Sequence, residues 1–117
     1  MATVLVFDIE TIPDLQAALE NWVDLVPPFP GKKPTMSASV SSICSFGYRV
    51  YGEKRSHGIN AWDFPTWKQD VNDDRAVCER ILEVFRGADA VITFNGKRFD
   101  EKFIQTRLRM HKLGHLP

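Results

Sequence analysis

Val4-Leu5-Val6-Phe7-Asp8-Ile9-Glu10-Thr11 is an apolar run that abruptly carries two carboxylates. Val, Leu and Phe at its start argue a buried strand. Side chains on a strand alternate with period two, so Asp8 and Glu10 leave the same face, about 7 Å apart along the chain. A buried ionised carboxylate costs several kcal/mol, and two of like charge repel as well. Two arrangements relieve this. Either the strand lies at an edge with both acids facing water, or a positive group sits between them. A hard divalent cation such as Mg²⁺ suits such oxygen donors.

Outward from this strand, Pro13 closes it, since proline cannot donate to a central ladder. Asp14 is placed to cap a helix in which Leu15, Ala18, Leu19, Trp22, Val23 and Val26 recur at helical spacing. Pro27, Pro28, Pro30, Gly31 and Pro34 then end it in an irregular stretch to about Ser39. From Val40 to Tyr51 the period changes to two. Cys44, Phe46, Tyr48 and Val50 fall on one face, with Ile43, Ser45, Gly47 and Arg49 on the other. Gly52-Glu53-Lys54 reads as a turn, and Ser56 to Trp62 as the returning strand of a hairpin. Asp73 and Asp74 suit a helix N-terminus, where the macrodipole favours negative charge. Val77, Ile81, Val84, Phe85 and Ala88 give that helix one apolar face, with Gly87 at its end. Ala90 to Phe94 reads as a second buried strand. Phe99, Phe103, Ile104, Leu108 and His111 predict a final helix from Phe99 to Lys112, stopped by Gly114. Strand, hairpin, helix, strand, helix is a mixed α/β layout with one helix-linked parallel step.

The chain has 117 residues, 44% hydrophobic and 26% charged, enough for one domain with a real core. Fifteen basic residues balance fifteen acidic ones, so bulk charge advertises no partner. Their distribution says more. Residues 1–31 carry five acids and no Lys or Arg, whereas residues 96–117 carry Lys97, Arg98, Lys102, Arg107, Arg109 and Lys112. That asymmetry could set an acidic metal pocket beside a basic track for phosphates, or be ordinary surface variation. Cys44 and Cys78 have neither zinc-site spacing nor the density of a disulfide scaffold, and read as small buried residues. His57 lacks a partner at metal-ligand spacing and reads as a structural histidine. No apolar stretch approaches the ~20 residues of a membrane span, so no membrane partner is expected and the cytoplasm is the expected location.

Asp100 opens the last helix just after a strand. Taken alone it is a helix-start acid favoured by the macrodipole. If the strands of Asp8 and Phe94 are neighbours, however, it faces Asp8 and Glu10 across a cleft, at the strand ends where α/β sites gather. A Rossmann-type site is excluded because no G-x-G-x-x-G follows the first strand.

Phe7-Asp8-Ile9-Glu10-Thr11 resembles the first motif of the DEDD 3′–5′ exonucleases, and Phe94-Asn95-Gly96-Lys97-Arg98-Phe99-Asp100 resembles their second. The wider wording of residues 6–14 is most similar to the predicted exonucleases related to the proofreading domain of family-B DNA polymerases. The resemblance implies a ribonuclease H-like fold and hydrolysis of nucleic acid, DNA expected, from a single-stranded 3′ end with two Mg²⁺ or Mn²⁺ ions. It implies that Asp8, Glu10 and Asp100 hold the metal, with Ile9, Thr11, Asn95 and Phe99 contacting nucleic acid. Lys97, Arg98 and Lys102 are candidate phosphate contacts from their charge.

The pattern also departs from that family, which uses a fourth carboxylate preceded by a Tyr or His base on a late helix. After Asp100 the only acid is Glu101. Residues 1–117 are therefore expected to be the N-terminal portion of one such domain, ending before the last strand and helices, inactive or weak alone, and prone to self-association through an exposed sheet edge. The alternative is a non-catalytic nucleic-acid-binding or assembly module that keeps the fold.

Overall fold

The apolar run forms strand β1, Val4–Pro13, at the centre of a four-stranded sheet. The structure, a computed structural model, describes residues 2–13, 41–93 and 99–117. The expected helix after Asp14, the proline-rich stretch, and Phe94 to Arg98 lie outside the described residues. Strands β2 (Ser41–Val50), β3 (His57–Asn60) and β4 (Ala90–Thr93) complete the sheet in the order β3-β2-β1-β4. β1–β2 and β2–β3 are antiparallel, and β1–β4 is parallel. Two short 3₁₀ turns, Ala61–Asp63 and Pro65–Lys68, follow β3, where the sequence pattern alone would extend the strand to Trp62. Helix α1, Arg75–Arg86, crosses from the hairpin to β4, and helix α2, Phe99–Met110, closes the described fold. This is the mixed α/β sheet expected of a ribonuclease H-like fold.

One face of β1, Leu5, Phe7 and Ile9, is buried with α1 packed over it. Phe7 meets Phe85 edge-on at 5.0 Å and stacks on Phe46 at 5.6 Å. Each such ring, fully buried, contributes roughly 1.5–3 kcal/mol through the water it sheds. The other face carries Val6, Asp8 and Glu10, opposite Arg49, Gly47 and Ser45 of β2.

Three expectations change. The period-two reading separated Ile43 from Phe46, yet both are buried. Glu10 pairs with Ser45 and Thr11 with Ile43, leaving Cys44 as the extra residue of a β-bulge. That extra residue flips the alternation and returns Ile43 to the core. The strand at Ala90 was expected to be buried, but β4 is an edge among the described residues and Ile92 is 52% exposed. Finally, α2 ends before Gly114. Leu113 N donates to Leu108 O at 3.0 Å and Lys112 N to Arg109 O at 3.0 Å, with Lys112 at φ 58°. That is a Schellman cap with lysine in the left-handed position usually held by glycine. No helix among the described residues is long and apolar enough to cross a membrane.

Candidate active site

Asp8 and Glu10 do share one exposed face of β1, as the alternation required. The bulge falls immediately after Glu10, and the Cys44 thiol donates to the Glu10 carbonyl at 3.4 Å. Bulges re-aim side chains, and this one is the last irregularity before the strand end.

Asp100 reaches the backbone between them from α2. It is only 1% exposed, although it is an acid in the first turn of a helix. Even-numbered residues of β1 present their backbone groups to β2: Val4 O accepts from Tyr51 N. Odd-numbered ones face β4: Thr3 O accepts from Asp89 N and Ala90 N. Among the described residues the β1–β4 pairing ends at Phe7, opposite Thr93. Ile9 N–H, two residues on, is past the ladder and needs another acceptor. It donates to Asp100 Oδ2 at 3.2 Å and to Asp8 Oδ1 at 3.0 Å. Two carboxylates thus converge on one amide, with Glu10 one position further along the same face as Asp8.

The remaining sequence candidates are placed as follows. The Ile9 side chain is buried in the core, so its backbone is the part near the acids. Thr11 is half-buried at the bulge. Phe99 is half-buried and its ring lies 5.7 Å from Phe103. Lys102 is exposed on α2. Asn95, Lys97 and Arg98 lie outside the described residues.

A second cluster surrounds Asp74. Asp74, read as a macrodipole acid, is 1% exposed and turned inward instead of capping α1. Its Oδ2 accepts from Ile43 N at 2.9 Å and from Arg107 Nε at 2.9 Å. Its Oδ1 accepts from Arg107 Nη2 at 2.7 Å and lies 2.5 Å from His111 Nε2. One carboxylate therefore ties β2, the start of α1 and the end of α2. Burial pushes the Asp74 carboxyl up, but hydrogen bonds from His111 and Arg107, the Arg107 charge and the Ile43 amide prevail, holding it below the usual range. Arg107 consequently leaves the basic track proposed from sequence, because it is buried in this pair.

Asp74, Cys78 and His111 also bring oxygen, sulfur and nitrogen donors within 4.8 Å of one another. A cation does not fit there. The Asp74 oxygens already accept from an arginine fork, and a cation at Asp74 would stand against the buried Arg107 guanidinium. The Asp8, Glu10 and Asp100 set is different in kind. All its donors are carboxylate oxygens, and neither Asp8 nor Glu10 has an ion pair among the described residues. Carboxylate oxygens are the donors that a hard divalent cation takes, but among the described residues only Asp74, Cys78 and His111 bring three donor groups within 4.8 Å of one another, so Asp8, Glu10 and Asp100 do not ring a single ion in this arrangement.

Fold and site together define a mixed α/β protein whose closing helix brings Asp100 to the Ile9 amide of the central strand, where Asp8 also bonds. The chain belongs to the RNase_H superfamily, whose model matches residues 36–116. That span runs from before β2 through α2 and includes Asp100, while Asp8 and Glu10 lie ahead of it. No curated protein matches the chain. Membership points to nuclease-type chemistry on nucleic acid.

Proposed function

We propose that this chain carries the carboxylate site of a 3′–5′ exonuclease that hydrolyses phosphodiester bonds, DNA being the expected substrate. The observation that carries the reading is the meeting of Asp8 and Asp100 on the Ile9 amide, with Glu10 on the same strand face. A binding module gains nothing from gathered acids that repel phosphate.

Asp8, Glu10 and Asp100 would hold Mg²⁺ or Mn²⁺. Bound there, a divalent pair supplies an activated water and neutralises charge on the leaving oxygen. The protein's own part is positional. Asp100, buried and bonded to Ile9 N, fixes α2 against β1 and so sets the spacing of its carboxylate from Asp8. The bulge at Cys44 sets the direction of Glu10. Ile9, Thr11, Asn95 and Phe99 are assigned to the terminal nucleotide, and Lys97, Arg98 and Lys102 to phosphates.

In Mn²⁺, a 5′-labelled single strand should shorten stepwise from its 3′ end, and Asp8→Asn should stop this. Internal cuts would contradict the exonuclease assignment. Mn²⁺ binding without any trimming would favour the second reading, a non-catalytic nucleic-acid module. The edge that β4 forms among the described residues is further proposed to pair with a second copy. A mass that rises with concentration in sedimentation checks this.

A further inference from the structure

Beside Asp8 the sheet has a lane without side chains. Asp8 stands opposite Gly47, and Gly47 opposite Gly58, so one row across three strands reads Asp8, Gly47, Gly58. A Cβ on Gly47 would meet nothing within 4 Å, and its φ is not left-handed. Neither packing nor backbone conformation asks for glycine there. Val6, Asp8, Gly47, Arg49 and Ser56 are among the residues that line a groove of about 340 Å³ at this place.

Arg49 flanks the lane. It stands opposite Val6, on the Asp8 face and diagonal to it, a separation of about 7–8 Å between cross-strand neighbours. It is exposed and makes no ion pair or side-chain hydrogen bond among the described residues. Lys54 and Arg55, both exposed, follow in the turn that leads to Ser56, against the single acid Glu53. An unpaired guanidinium over an empty strip, with further cations at its outer end, is complementary to a chain of phosphates.

We propose that this groove is a binding lane for the phosphodiester backbone of single-stranded nucleic acid, with Arg49 as a phosphate ligand and Gly47 leaving room for a sugar. The proposal rests on the nuclease reading for its substrate class and extends it to residues on β2 and β3. It places the strand across the hairpin as well as against α2.

Fluorescence anisotropy of a labelled single-stranded oligonucleotide in EDTA reads the lane without the metal site. Arg49→Met should weaken binding about fivefold at low salt. It should also reduce the slope of log K against log salt by about 0.7, the value for each phosphate that a cation neutralises on a single strand. Gly47→Val should weaken binding as well, by filling the lane, while its thermal melt is not lowered because the added side chain meets open space. Arg86→Met, exposed at the end of α1 on the other side of the sheet, should change neither quantity. Wild-type affinity and slope in both Arg49→Met and Gly47→Val would overturn the proposal. So would equal, Arg49-dependent binding of a poly-glutamate peptide, which would make the groove a site for acidic protein. Arg49-dependent oligonucleotide binding with no Mn²⁺ affinity at Asp8 would leave the lane standing and sink the nuclease reading.

Discussion

Two acid clusters sit in this molecule, and they are opposites. Asp74 is buried under four donors from β2, from α2 and from the turn that follows α2, and its charge is answered by Arg107. Asp8 and Glu10 are exposed on a strand face with no cationic side chain paired to them among the described residues. A carboxylate that meets an arginine fork holds the fold. Exposed carboxylates without one are free to bind a cation from solution. Asp100 stands between the types, buried like Asp74 yet bonded to the same amide as Asp8.

The contrast can be broken most sharply at Asp8. Asp8→Asn should lower any Mn²⁺-dependent hydrolysis by about three orders of magnitude, the scale of several kcal/mol of transition-state stabilisation, and leave the thermal melt nearly unchanged. Asp74→Ala should do the reverse. It strands a buried guanidinium and should destabilise by about 3–5 kcal/mol in urea unfolding, with Mn²⁺ affinity retained by the protein that remains folded. Equal effects on stability from the two substitutions would erase the distinction.

Acid provides a milder test. Asp74 has a carboxyl lowered in the folded state, so the unfolded chain binds its proton first. Its stabilisation is therefore complete above the ordinary aspartate value, about pH 4, and is lost as pH falls through the depressed folded value. Wild-type stability should fall over that range, and Asp74→Asn should flatten this part of the profile. The smallest effect lies one residue past His111, at a side chain that bonds neither acid group. Lys112→Gly should raise stability by about 1 kcal/mol, by relieving a left-handed backbone at the α2 cap.

The strand and helix order was legible because hydrophobic period is a local property, and Asp8 and Glu10 were legible because acids break an apolar run. Their meeting with Asp100 could be inferred only through the parallel β1–β4 step. The Cys44 bulge left no periodic trace beyond the misplaced Ile43. Asp74 was hidden because one acid at a helix start looks the same whether it caps or turns inward. A signal did exist on the other side of that pair. Arg107 and His111 lie on the buried stripe of Phe103, Ile104 and Leu108, where a cation needs an anion across the core. Counting Arg107 as surface charge concealed it. Lys112 could not be read, since a cap filled by lysine in place of glycine carries no compositional mark.

The central claim is that the cation site lies at Asp8, Glu10 and Asp100 and not at Asp74, Cys78 and His111. A Mn²⁺ titration followed by electron paramagnetic resonance on wild type, Asp8→Asn and Cys78→Ser tests it most directly. Saturable binding should be lost in Asp8→Asn and kept in Cys78→Ser. Binding kept in Asp8→Asn and lost in Cys78→Ser would contradict it.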